Sequence, residues 1–121
     1  MTLPGATRIF VYGTLLPGGS NHGLLANAAF ERAVRTAPGF ALADLGPYPG
    51  LLREGDGTVT GEVWAVDAQA LATLDRLEDV PRLYVREPVE LEDGARVDAY
   101  LYARDAAGAP RIHGGAWLGR A

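Results

Sequence analysis

The sequence contains no cysteine, which removes disulfides, thiolate nucleophiles and sulfur-ligated metal sites in one step. Lysine is absent as well, so all 11 basic residues are arginine. A guanidinium is not deprotonated in proteins, and this excludes Schiff-base chemistry and a phosphate-binding P-loop lysine. Serine occurs once, at Ser20, and histidine twice, at His22 and His113. No nucleophile-elbow pattern surrounds Ser20, and neither histidine has a carboxylate at helical metal-ligand spacing. Neither a serine triad, a metal nor a cofactor is expected. If the chain is an enzyme, its proton chemistry rests on a carboxylate.

Basic runs are missing too, and the net charge is -4. Nucleic acid is therefore not an expected partner, because phosphate binding starts from positive charge. No stretch approaches the roughly 20 apolar residues of a membrane span. The opening MTLPGATR lacks a basic-then-apolar signal pattern, so the expected location is cytoplasmic. At 121 residues and 48% hydrophobic, the chain reads as one globular domain over 1–121, with irregular ends at 1–7 and 105–121. Nothing in the sequence fixes an oligomeric state.

The stretch that carries most information is 8–22, RIFVYGTLLPGGSNH. Ile9, Phe10, Val11 and Tyr12 favour extended backbone and run directly into Gly13, Thr14 and Leu15. A buried strand that ends in a glycine turn presents bare N–H groups, and Gly13 lets a ligand approach the main chain. The reading is an anion or oxyanion cradle; an ordinary strand and turn has the same pattern.

Further strands are expected at 31–36, 40–44, 59–66, 83–91 and 97–103, with a short helical turn in 23–29. The GPYPG segment at 46–50 is a rigid loop whose prolines aim Tyr48 either into a pocket or onto core. EGDGT at 54–58 carries a hairpin signal, as does EDGA at 92–95. Tyr84, Arg86, Tyr100 and Tyr102 alternate along the last two strands, so each pair shares a face. A final short strand is expected at 111–113, and Trp117 is an aromatic anchor in the tail.

Asp67 caps a helix over 68–78, which Pro81 stops. At about 100° per residue, Leu71, Leu74 and Glu78 share one face. A carboxylate thus points toward the core at the negative end of the helix dipole. Both conditions raise its pKa, as a general base near neutral pH requires. Fraying of the helix end would instead turn Glu78 to water.

Taken together, FVYGTLLPGGSNH, GPYPG, VTGEVWAV and LDRLEDVPRLYVRE, in this order, resemble the gamma-glutamylcyclotransferase-like superfamily, also called avirulence-induced-gene-like. The resemblance spans nearly the whole chain. It implies an α+β fold, a small mixed β-barrel flanked by short helices with a cavity at its mouth. Tyr12, Gly13, Thr14 and Leu15 match the family's substrate-binding loop, Glu78 its catalytic glutamate, and Tyr84 and Arg86 positions that shape or support the site. Ala116 stands before Trp117 where an acidic residue is common in the family, a departure confined to the C-terminal wall.

The implied activity is cyclisation of a gamma-glutamyl compound to 5-oxoproline with release of a free amine. This fits the residue inventory, since the substrate's own α-amine is the nucleophile and no enzyme nucleophile, metal or bound water is needed. The implied partner is a small gamma-glutamyl molecule, with Tyr48 a candidate wall residue. Arg53, Arg82 and Arg86 are candidates for its α-carboxylate. A member that only binds a ligand in the same cavity is the alternative, and an interaction domain without a pocket is a third reading.

Overall fold

A computed structural model describes residues 6–117, and its centre is β1, Thr7–Val11. Ile9, Phe10 and Val11 are all buried, as a strand flanked on both sides requires. The period of two sorts them. Ile9 and Val11 pack with Leu74, Tyr84 and Tyr100. Phe10 packs on the other face with Leu42, Leu51, Val63, Leu101 and Trp117.

The remaining strands are β2 (Ala29–Arg35), β3 (Phe40–Asp44), β4 (Pro49–Arg53), β5 (Thr60–Val66), β6 (Tyr84–Glu90) and β7 (Arg96–Tyr102). They form one seven-stranded mixed sheet in the order β2-β5-β1-β7-β4-β3, with β6 also paired to β7. Strand β1 runs antiparallel to β5 and parallel to β7. The hairpin β6–β7 sets Tyr84 opposite Tyr102 and Arg86 opposite Tyr100. All four side chains therefore share one face, as the alternation predicts.

The expected barrel is corrected to an open sheet. Strand β7 pairs in parallel with both β1 and β4, but with β4 only at Leu51 and Leu101. The two edges that would close a ring, β2 and β6, share no ladder. A single isolated bridge, Thr36 with Leu91, joins the ends of β2 and β6 among the described residues. Local patterning sets strands; which edges meet is decided by contacts remote in sequence.

Three other expectations change. The 54–58 segment is no hairpin, because β4 pairs with β3 and β7 while β5 pairs with β1 and β2. Pro49 and Gly50 belong to β4, so the rigid loop is a shorter turn closed by Leu45 N–H donating to the Tyr48 carbonyl at 3.1 Å. The expected last strand reduces to a bridge between Arg111 and Ala43, which covers the outer edge of β3. Trp117 is buried against the core. Parts of the expected irregular ends, 1–5 and 118–121, lie outside the described residues.

The helix α1 spans Ala68–Leu77. Asp67 caps it by accepting from Ala70 N–H at 2.8 Å, satisfying one of the orphan donors of the first turn. Leu74 is fully buried and seats the helix on the face that holds Ile9, Val11, Tyr84 and Tyr100. The chain leaves the helix through Asp79, whose φ of 51° lies in the left-handed region.

Candidate active site

A cavity opens where the end of β1 meets the end of α1. Its wall includes Tyr12, Gly13, Thr14 and Leu15 from the turn after β1, Tyr48 and Pro49 from the β3–β4 corner, Glu78, Tyr84 and Tyr100. The inner hollow measures about 30 Å³. Beside it lies a wider hollow of about 230 Å³ that shares Thr14, Tyr48, Glu78 and Tyr84 and adds Ser20, Asn21 and Leu77. Glu78 faces both.

Glu78 is the C-cap of α1, one position beyond the last helical residue, and its N–H donates to the Leu74 carbonyl at 2.9 Å. This main-chain bond fixes the residue against the frayed alternative. Its side chain is half-buried, and among the described residues the carboxylate has neither a hydrogen bond nor an ion pair. Burial alone pushes its pKa up from 4.5 to about 7, because the charged form loses water without gaining a partner.

The phenols around it cannot serve as bases. The hydroxyls of Tyr12, Tyr84 and Tyr100 are each held well above the usual phenol range, first by burial and in each case further by the charge of Glu78. Each is a neutral donor already in use. Tyr12 donates to the Tyr100 carbonyl and accepts from Leu51 N–H. Tyr84 donates to the Pro49 carbonyl at 2.7 Å. Of the cavity's ionisable groups, Glu78 is the one poised to exchange a proton near neutral pH.

The turn after β1 is latched from its own loop. Asn21 N–H donates to the Thr14 carbonyl at 2.9 Å and its Nδ2 to Thr14 Oγ1 at 3.0 Å. His22 Nδ1 lies 2.8 Å from the Leu15 carbonyl, an arrangement in which Nδ1 carries the proton, and its ring packs edge-on to Trp64. Leu16 N–H donates to the Gly13 carbonyl. These bonds engage the carbonyls of the turn; none engages the N–H groups of Gly13, Thr14 and Leu15. Glycine at 13 has a second cause besides ligand approach, since a Cβ there would lie 2.7 Å from Pro49 Cγ and 2.8 Å from Cδ. Gly19 is needed because a Cβ would collide with the Thr14 carbonyl.

Of the residues singled out in the sequence, Tyr12, Gly13, Thr14, Leu15, Tyr48, Glu78 and Tyr84 line this one cavity. Arg86 does not. Its guanidinium bonds both carboxylate oxygens of Asp75, at 3.0 and 3.3 Å, and Asp98 at 2.8 Å. Arg82 pairs with Asp79, and Arg53 bonds the Pro88 carbonyl and Glu87; neither lines the inner or the wider hollow. Among the described residues no arginine lines either hollow, which leaves main-chain N–H groups and the side chains of Thr14, Ser20, Asn21 and Tyr48 to face a carboxylate there. Asn21, His22, Pro49, Asp75 and Tyr100 escape a reading of the sequence for site residues. Only the proximity of Asn21 and His22 to the glycine turn was a usable signal.

A family model described as "Gamma-glutamyl cyclotransferase, AIG2-like" matches residues 9–119. A Vibrio cholerae protein provisionally named a gamma-glutamylcyclotransferase is 48% identical over 94 residues, 78% of this chain and 78% of that protein. The gamma-glutamylcyclotransferase family protein YtfP of Escherichia coli K12 is 36% identical over 113 residues, 93% of this chain and 97% of that protein. The crystal structure of an AIG2-like protein from Mus musculus aligns with a TM-score of 0.77 at 33% identity, covering 88% of this chain and 86% of that one.

Proposed function

The chain belongs to the gamma-glutamyl cyclotransferase, AIG2-like family, and on that premise we propose that it cyclises a gamma-glutamyl substrate to 5-oxoproline, with Glu78 as general acid and base. The observation that carries this reading is the unpartnered Glu78 carboxylate on the wall it shares with Gly13, Thr14 and Leu15.

In the first step the Glu78 carboxylate takes a proton from the substrate α-ammonium. The freed amine attacks the γ-carbonyl carbon, forming the new C–N bond of a five-membered ring and a tetrahedral oxyanion. N–H groups of residues 13–15 stabilise that charge, as donors aimed at developing charge do most effectively. Glu78 then returns its proton to the leaving nitrogen and the old C–N bond breaks; the ring nitrogen passes its surplus proton to the released amine, which leaves as its ammonium form beside 5-oxoproline. A pKa near 7 matches a group that must both accept and return a proton. Confining both ends of one molecule in a small hollow supplies the orientation.

The test is a panel of gamma-glutamyl compounds incubated with the protein and assayed for 5-oxoproline. Release from at least one supports the reading, and no release from any of them contradicts it.

A further inference from the structure

Proton transfer by Glu78 to a group held on residues 13–15 needs those two elements kept at a fixed separation, and one residue is bonded to both sides. The Tyr100 hydroxyl donates to Asp75 Oδ1 at 2.7 Å, on the helix three residues before Glu78. The Tyr100 carbonyl accepts from the Tyr12 hydroxyl, immediately before Gly13. Asp75 is meanwhile gripped at both oxygens by Arg86, which Asp98 anchors on β7. Asp75 itself lies outside the cavity wall.

This linkage matters because α1 is otherwise weakly held. A ten-residue helix is marginal by itself, and Leu74 is its one fully buried side chain. Ala70 and Leu71 pack on the same cluster only partly buried, and one apolar row leaves the helix free to roll about that contact. A second anchor at Asp75, beside Leu74 in sequence but pointing about 100° round the helix and held by directional bonds to β6 and β7, stops that rotation. The rotation is what decides whether Glu78 looks into the cavity or out to water. Planar, two-point guanidinium pairing is well suited to fix an orientation.

We propose that Asp75 is a positioning residue, which through Tyr100 and Arg86 holds the end of α1 so that Glu78 stays turned into the cavity against residues 13–15. The catalytic consequence rests on the function proposed above; the orientation of Glu78 does not.

The experiment follows the Glu78 side-chain carboxyl by carbon NMR across pH in the full chain, for wild type, Tyr100→Phe and Asp75→Asn. Wild type is expected to titrate near 7. Each variant is expected to titrate about one pH unit or more lower, toward 4.5, because water reaches a helix end that can turn. Tyr100→Phe keeps ring and charge, so its shift reports hydration and not a lost neighbouring charge. The phenols of Tyr12, Tyr48, Tyr84 and Tyr100 share the cavity wall with Glu78, and those of Tyr12, Tyr84 and Tyr100, raised by burial, stay protonated throughout this range.

On a cleaved substrate, kcat should fall at least about tenfold with KM little changed, and the acid limb of kcat/KM should move down with the titration. The double variant should show little further loss, since both changes cut one link. An unchanged Glu78 titration in Tyr100→Phe overturns the proposal, even if Asp75→Asn fails to fold. Absence of 5-oxoproline from wild type would contradict the proposed function instead, and the titration would still decide the positioning role.

Discussion

Glu78 and Gly13 stand on the wall of one cavity, the first capping the end of α1 and the second turning the chain at the end of β1. Among the described residues the acid has no partner and no bond engages the N–H groups of Gly13, Thr14 and Leu15, so both keep hydrogen-bonding capacity for a third molecule. A raised-pKa carboxylate and a run of open main-chain N–H groups thus share one cavity, brought together only by the fold.

The first prediction concerns the turn. In Gly13→Ala the new methyl meets the Pro49 ring within 3 Å, and Pro49 is itself fixed by the Tyr84 hydroxyl. The turn must shift, at a cost of about 1–3 kcal/mol. Thermal unfolding should report that loss, and kcat should fall with it. Gly23→Ala is the control, because nothing lies within 4 Å of its Cβ position; its stability should stay within about 0.5 kcal/mol of wild type.

A second prediction follows from the raised pKa. Native Glu78 keeps its proton up to about pH 7, whereas the ordinary value is 4.5. Between these values the native state binds more protons than the unfolded state. The contribution to stability is therefore complete below about pH 4.5 and is lost as pH rises through 7. The loss is at most about 3 kcal/mol, and less for a group that water partly reaches. Unfolding midpoints of wild type and Glu78→Gln, compared from pH 4 to pH 9, should diverge in the variant's favour as pH rises. Parallel curves would contradict the assignment.

Much of this was legible in the sequence, for reasons that differ by element. Asp67 and Pro81 bracket α1, and helical spacing from Leu71 and Leu74 carries Glu78 to the buried side; all of that is local. The tyrosine and arginine alternation on β6 and β7 correctly put four side chains on one face. It could not say that Arg86 would be consumed by Asp75 and Asp98, because that pairing depends on where α1 lies across the sheet. The open sheet was likewise invisible, since β7 takes β1 and β4 as parallel neighbours from far away in the chain. EGDGT looked like a hairpin turn because turn residues record a reversal, not the identity of the strands on either side.

A third prediction tests the bond between the end of β2 and the segment that leads into β5. Thr36 is wholly buried, and its hydroxyl oxygen accepts from Val59 N–H at 2.9 Å. Thr36→Val keeps the shape and strands that N–H without an acceptor. Chemical denaturation should show a loss of about 1–3 kcal/mol. Because Thr36 is remote from the cavity wall, kcat per folded molecule should not change.

The most direct measurement compares 5-oxoproline formation by wild type and by Glu78→Gln on a substrate that wild type turns over. Glutamine keeps the size and the cavity but cannot carry the proton. The expected result is a fall in kcat of about 10²–10⁴, with ligand affinity nearly unchanged. Full turnover by Glu78→Gln would contradict the central claim that this carboxylate moves the proton.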